Sequence, residues 1–173
     1  MENKDLQLHQ KPMMQMISEG TSRVEIARKY TSITPTTILN SNFPSLARLR
    51  KERSAEEVER AIAILLIDAS RAFGEPIDKE TALETAVEIH TRYYYLTLED
   101  CYLVLSRMKS KPLYGKLSSN KFLTEFEAYG AERIQLADQM SYNNHLATSD
   151  AGTNRTGDTD SVKGIMRKIR SKR

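Results

Sequence analysis

A helix cap followed by apolar residues at helical spacing constrains the fold of this chain more than any other feature. Ser54 and Glu57 form a capping box, in which the serine accepts from an early backbone N–H and the glutamate reaches back. The apolar residues after it recur every three or four positions: Val58, Ile62, Leu65, Leu66, Ala69 and Phe73, with Ile64 and Ile67 widening the face. Gly74 and Pro76 then end the segment. The pattern predicts a long amphipathic helix at the centre of a core.

Two further helices follow with similar signals. Asp78 is a good N-cap for a helix whose apolar side consists of Leu83, Ala86, Val87, His90 and Tyr94. Thr97 begins the next helix, whose inner face carries Cys101, Leu105 and Met108, and Pro112 ends it. Both segments are long enough and regular enough to predict α-helix.

A final long helix begins at Ser118 or Ser119. It carries Phe122, Leu123, Phe126, Tyr129, Ile134, Leu136 and Met140, and Gly130 is a point where it can bend or break. No stretch of the chain keeps the strict alternation of a half-buried strand. The sequence therefore predicts an all-α fold, a compact bundle of four to five helices over residues 43–146.

The distribution of charge separates this bundle from the rest of the chain. The net charge is +3, but residues 161–173 carry six Lys and Arg side chains and no acid, which leaves residues 1–160 at −3. Residues 147–160 are rich in Thr, Asp and Gly and lack large apolar side chains, which predicts a flexible linker. Residues 1–42 are predicted to form a flexible N-terminal arm that can hold short helices, with a loosely held lead-in through Gly20.

Composition excludes several classes of protein. The longest apolar run is far too short to cross a bilayer, and a single cysteine, Cys101, cannot form an internal disulfide or a cysteine-based zinc site. The histidines His9, His90 and His145 lack the spacing of metal ligands on one helix face. Two acidic residues precede Cys101 and would raise the pKa of its thiol. With no phosphate-binding loop or nucleophile elbow, we expect no enzyme, no metal and no cofactor.

A cationic segment around Pro112 suggests nucleic-acid binding. We call the stretch Arg107–Lys121 the basic turn, and its candidate binding residues are Arg107, Lys109, Lys111, Tyr114, Lys116 and Lys121. The cations would contact phosphates, the helix N-terminus near Ser119 would attract another, and Tyr114 would stack on an unpaired base. The alternative is that cations near a helix C-terminus complement its dipole. A second basic run, Arg48–Arg53, either continues this surface or pairs with the nearby glutamates.

The C-terminal residues 161–173 have the pattern of a basic amphipathic helix. Val162, Ile165, Met166 and Ile169 would form one apolar stripe backed by cations. The candidate partner-binding residues are Lys163, Ile165, Met166, Arg167, Lys168, Ile169 and Arg170. Such a tail suits a nucleic-acid backbone or an acidic protein partner, and it has too few apolar residues for a membrane. The alternative is a solubilising disordered tail.

A fainter pattern lies in residues 19–40. Ser22 and Glu25 form a capping box for a first helix, and Pro35 suits the first position of a second, as in a helix-turn-helix. No glycine marks the turn, and the second helix would be very short. The sequence leaves open whether this unit is a helix-turn-helix.

Residues from about Phe43 to Arg133 also carry a resemblance to a group of proteins. The similar stretches are Pro44–Leu46 before a basic run, Tyr95–Asp100, Tyr114–Leu117 and Phe126–Tyr129 leading to Glu132. The chain resembles small helical proteins of phages and mobile elements in Bacteroides-like bacteria. Its layout of a bundle before a basic tail is similar to that of phage replicative-helicase loaders.

The resemblance implies a non-enzymatic accessory protein in DNA replication or DNA handling. It would bind nucleic acid and a protein partner, such as a replicative helicase, another phage protein or a host factor. The bacterial cytoplasm or a virion would be its location. The alternative is a virion structural or cargo protein, or a host-factor inhibitor, that binds protein only; the oligomeric state stays open.

Overall fold

The computed structural model describes residues 11–112 and 117–152, the last six of these by backbone alone, and it confirms the all-α fold class. The described residues contain eight helices: α1 Met13–Ser18, α2 Arg23–Tyr30, α3 Pro35–Asn40, α4 Leu46–Glu52, α5 Ala55–Ala72, α6 Lys79–Arg92, α7 Leu98–Lys109 and α8 Ser119–Gly152. Helices α5 to α8 correspond to the four helices predicted from sequence, and α4 contains most of the basic run Arg48–Arg53.

Local side-chain caps determine where most of these helices begin. Six helices start after a Ser, Thr or Asp whose side chain accepts from the backbone N–H three residues on: Ser22, Thr34, Ser45, Ser54, Asp78 and Thr97. Each cap satisfies an N–H that has no partner inside the helix. At the other end of α5, Gly74 has φ 74°, a left-handed conformation that glycine adopts at little cost.

Helix α5 lies at the centre of the core, as predicted. It packs against α6, α7, α4 and α1, and Val58, Ile62 and Leu66 are completely buried. Helix α6 contributes Ala82, Ala86 and Ile89 to the core. The prediction that Val87 and Tyr94 share this inner face was wrong, since their side chains are 45% and 58% exposed. Ala86, directly before Val87, faces the core, so Val87 faces solvent, and α6 ends at Arg92, before Tyr94.

The segment before α4 packs into the core more closely than the sequence indicates. Met13, Met14 and Met16 of α1 are buried, and α1 contacts both α5 and α7. Tyr30 at the end of α2 and Ile38 in α3 are 1% exposed. The sequence favours a loosely held lead-in here. The long, flexible methionine side chains instead fill the space left between helices.

The start of α4 is attached to the turn before α7. The backbone N–H groups of Leu46 and Ala47 donate to the carbonyls of Leu96 and Tyr94, at 2.7 and 2.9 Å. These bonds satisfy donors of the first helical turn that Ser45 does not reach. The arrangement joins two parts of the chain that are 50 residues apart in sequence.

Helix α8 runs through Gly130 without a break. A methyl group at this position would lie 2.6 Å from the Tyr95 hydroxyl, so the glycine allows a close approach between α8 and that ring. By its contacts the chain divides into two units, Met1–Leu136 and Ala137–Arg173. The first contains α1–α7 and the start of α8 with the core. The second consists, among its described residues, of the remainder of α8.

Candidate functional site

The described part of the first unit contains a cleft between α2, α5 and α7, which we call the apolar cleft. Its volume is about 420 Å³, and its lining consists of Ile17, Gly20, Thr21, Arg23, Val24, Ile26, Ala27, Ile64, Leu65, Asp68, Tyr102, Leu105 and Lys109. Small-molecule and side-chain binding clefts have this size and this mainly apolar lining with a few polar groups. It is therefore the candidate functional site.

Two aliphatic side chains on the walls of the cleft remain open to solvent. Val24 of α2 is 59% exposed and Ile64 of α5 is 43% exposed. The local sequence causes this exposure, because Ile64 lies on the edge of an apolar face of α5 that is wider than the core can cover. Val24 follows the Ser22 cap and lies two residues before the buried Ile26. Both side chains are positioned for contact with a further molecule.

One carboxylate, Asp68, lies in the wall of the cleft one helical turn from Ile64. Its Oδ2 is 2.9 Å from Nε of Arg23, and its Oδ1 is 3.8 Å from Nη1 of Arg71. Oδ1 is buried and receives no hydrogen bond from any described residue. Burial raises the pKa of the Asp68 carboxyl, and Arg23, Arg71 and Lys109 act in the opposite direction.

The basic turn is only partly a free cationic surface. Arg107 makes a bidentate ion pair with Glu132, with Nη1 2.6 Å from Oε2 and Nη2 3.2 Å from Oε1. Its guanidinium also lies over the ring of Tyr129. Lys111 pairs with Glu125 at 2.6 Å. Phosphate binding by either cation would compete with a carboxylate already in place. Surface ion pairs of this kind contribute about 0–1 kcal/mol to stability, so the glutamates would compete only weakly with a phosphate for these cations.

Lys109 differs from these two cations. It is exposed, forms no ion pair with any described residue, and lines the apolar cleft. Lys121 also makes an interaction, so it is not a free cation. The other candidates in the basic turn, Tyr114 and Lys116, lie outside the described residues. All predicted partner-binding residues of the tail also lie outside them: Lys163, Ile165, Met166, Arg167, Lys168, Ile169 and Arg170.

The second basic run forms α4 and its end. Arg48 pairs with Glu52 at 2.6 Å, and Arg53 pairs with Glu57 at 3.4 Å, both at helical i, i+4 spacing. Arg50 and Lys51 are exposed and make no ion pair with described residues. Both alternatives for this run therefore have support, since some of its cations are paired and others face solvent.

Cys101 and His90, whose side chains are of types often used in catalysis, are both buried in this structure. Cys101 is completely buried, and burial raises the pKa of its thiol well above the usual range. The negative charges of Asp100 and Glu99 raise this pKa further. His90 is 4% exposed, with Nδ1 at 3.1 Å from a carboxylate oxygen of Glu59. Neither side chain faces the apolar cleft.

A buried pair of acids at the start of α7 is the feature that sequence reasoning missed. Asp100 is completely buried, accepts from the Tyr129 hydroxyl, and lies 2.9 Å from Nε of Arg133. Glu99 is 1% exposed and accepts from the backbone N–H of Met13 at 2.7 Å. Burial raises the pKa of the Glu99 carboxyl. These bonds hold α1 and α8 against α7, so the pair is structural.

Residues 19–40 form two helices with the predicted capping box. In α2, Ser22 accepts from the Glu25 N–H, and Glu25 accepts from the Ser22 N–H, each at 3.3 Å. Pro35 occupies the first position of α3, but it is buried together with Ile38. The exposed positions of α3 carry Thr and Asn and no cation. This six-residue helix offers little to a DNA backbone.

Among the described residues, no group of three His, Cys, Asp or Glu side chains could hold a metal ion. No helix in the same residues is long and apolar enough to cross a membrane. Comparison with known proteins adds no relationship: no family model, no curated protein and no solved structure matches the chain.

Proposed function

We propose that this chain is a non-enzymatic binding protein whose apolar cleft holds an apolar segment of a partner protein. The observation that carries the proposal is the exposure of Val24 on α2 and Ile64 on α5, two walls of a cleft lined mainly by apolar side chains. Apolar surface around a concave site marks interaction sites in soluble domains. A partner helix lying across α2 and α5 would cover both side chains.

Two of the three walls, α5 and α7, are held firmly in the core. Helix α5 is the central element of the core, and α7 is tied to α1 and α8 by its buried acids. These two walls are therefore already in place in the free chain, which lowers the entropic cost of binding. A protein-partner function agrees with the partner that the sequence and its resemblance imply.

A neutral apolar dye tests this proposal. Nile red should bind the full chain saturably, and Ile64→Gln should weaken its binding about fivefold, since about 1 kcal/mol of apolar contact is lost. Fluorescence titration gives both affinities. Val87→Gln is the matched control, because Val87 of α6 is equally exposed, at 45%, but does not line the cleft. Equal loss in both variants, or no saturable binding at all, would contradict the proposal.

DNA handling as an accessory protein of a phage or mobile element is a second candidate. The observation in its favour is that Lys109, Arg50 and Lys51 are exposed and unpaired among the described residues. Such cations can neutralise phosphates and release condensed counterions. The pairing of Arg107 and Lys111 with glutamates makes the basic turn less cationic than the sequence suggests.

A salt titration of DNA binding tests the second candidate. We expect Lys109→Glu with Lys111→Glu to weaken binding and to reduce the slope of log affinity against log salt by up to about 2. The melting temperature should change little, because both side chains are on the surface. Lys79→Glu with Arg92→Glu gives the same charge change on α6 and serves as control. Identical binding by both double variants would remove the basic turn as a nucleic-acid site.

A further inference from the structure

We infer that the partner segment held in the apolar cleft is acidic, with a carboxylate placed beside its apolar anchors and directed at Lys109. The inference rests on the proposed function, because it names the chemistry of the partner at the same site. It follows from the charges on the walls, from their positions relative to the apolar lining, and from the openness of the site.

The charges at the cleft are unbalanced. Arg23 and Lys109 line it, and Arg71 lies beside it, whereas Asp68 is the single carboxylate in the lining. Asp68 is already held between the two arginines, at 2.9 and 3.8 Å. Lys109 has no ion-pair partner among the described residues. A negative charge brought into the cleft therefore meets a net positive potential, and a positive charge is repelled.

The cations are close in sequence to the apolar contacts. Lys109 lies one helical turn after Leu105 on α7, and Arg23 directly precedes Val24 on α2. Residues three or four positions apart share a helix face. A partner helix with an Asp or Glu one turn from a Leu or Ile has the matching spacing. Its apolar side chain would fill the cleft while its carboxylate reaches Lys109.

The apolar surface extends beyond the cavity, which favours a protein segment over a free fatty acid. Val24 and Ile64 stand on the walls with about half of each side chain in solvent. A single alkyl chain inside a cavity of about 420 Å³ would contact the inner sides of both and leave their outer parts in solvent. A helix across the cleft would cover them, as in other helix-in-groove complexes.

One feature argues for a cationic partner and makes the inference testable. Oδ1 of Asp68 is buried and accepts no hydrogen bond from a described residue, so a ligand ammonium group could satisfy it. The two alternatives predict opposite results for Asp68→Asn. If the partner is acidic, removing this like charge strengthens binding. If the partner is basic, the same change weakens binding.

The experiment measures displacement of Nile red from the full chain by octanoate, octanol and octylammonium, which share one alkyl chain. We expect octanoate to bind about fivefold more tightly than octylammonium at low salt, with the difference shrinking as salt screens the charges. Lys109→Gln should weaken octanoate about twofold to fivefold more than it weakens octanol, which has the same alkyl chain and no charge. Lys79→Gln, an exposed lysine on α6, is the control. Asp68→Asn should strengthen octanoate.

A second arm identifies the source of the carboxylate. Three helical peptides of about four turns carry leucines at i, i+3, i+4 and i+7, with Glu, Gln or Lys at the same flanking positions. We expect the Glu peptide to displace Nile red at the lowest concentration. Tight stoichiometric binding of palmitate together with no displacement by the Glu peptide would overturn the assignment to a protein segment.

The outcomes separate this inference from the proposed function. If Nile red does not bind saturably, both fail, because the cleft is then not a binding site. If Nile red binds and Ile64→Gln weakens it, but octylammonium equals or exceeds octanoate, the proposed function stands and the acidic-partner inference is wrong.

Discussion

Replacing Asp100 with alanine should lower the free energy of unfolding by about 3–5 kcal/mol, the range found when one partner of a buried ion pair is removed. Asp100 is completely buried and contacts three groups, two of which lie on the distant helix α8. It caps α7 through the Thr97 N–H, accepts from the Tyr129 hydroxyl, and pairs with Arg133. Alanine leaves a nearly buried guanidinium and a buried hydroxyl without their partner.

Urea denaturation followed by circular dichroism measures this loss. The matched control is Asp78→Ala, because Asp78 also accepts a backbone N–H at the start of a helix, from Thr81 of α6, but is exposed and makes no ion pair with a described residue. It should cost about 1 kcal/mol, the usual value for an N-cap. Adding Arg133→Met to Asp100→Ala should restore part of the stability, since it removes the uncompensated charge. Equal losses for the two alanine variants would show that the buried network contributes nothing beyond the cap.

Truncating Phe126 should produce a loss of similar size, about 3–5 kcal/mol, for a different reason. Its ring is completely buried on α8, with the centroid 5.9 Å from that of Tyr93. Alanine at this position removes the aromatic contact and leaves a cavity that the rigid neighbouring helices cannot fill.

Ile134→Ala on the same helix is the control for this prediction. Ile134 is 51% exposed, so its truncation should change the free energy of unfolding by less than about 0.5 kcal/mol. Denaturation of the two variants under identical conditions compares them directly. If the Phe126 variant is no less stable than the Ile134 variant, α8 does not pack on the core as described.

The helix boundaries are the part of this structure most accessible from sequence. Ser22, Ser54, Asp78 and Thr97 all cap the helices that their sequence patterns indicate. A cap depends on a side chain and a backbone N–H three residues away, so it is decided locally. The stop at Gly74 is local for the same reason.

The buried face of each helix is harder to predict from the sequence than its boundaries. A period of 3.6 residues places Val87 and Tyr94 near the inner side of one helix, but Val87 faces solvent and α6 ends at Arg92, before Tyr94. Ala82 and Ala86 make the contact with the core because their small side chains allow close approach. Which of two neighbouring positions faces inward depends on the partner helix, and the partner is not encoded in the periodicity.

The candidate site was almost invisible in the sequence. The apolar cleft is made by α2, α5 and α7, whose lining residues Val24, Ile64 and Lys109 are far apart in the chain. The one signal available was that Ile64 widens the apolar face of α5 beyond what a buried helix needs. By its neighbours in sequence, Lys109 belongs to the basic turn. The folded chain also places it on the wall of the cleft.

By itself the sequence determined the all-α class, the central place of α5 and the starts of α2, α5, α6 and α7, because propensity, capping and periodicity act over a few residues. Only the tertiary structure decided which charged side chains are paired and which remain free. Asp100 is buried against Arg133, and Arg107 is neutralised by Glu132, across 33 and 25 residues of sequence. Electrostatic pairing depends on distance in space, so residues distant in the chain decide which cations remain to bind a partner.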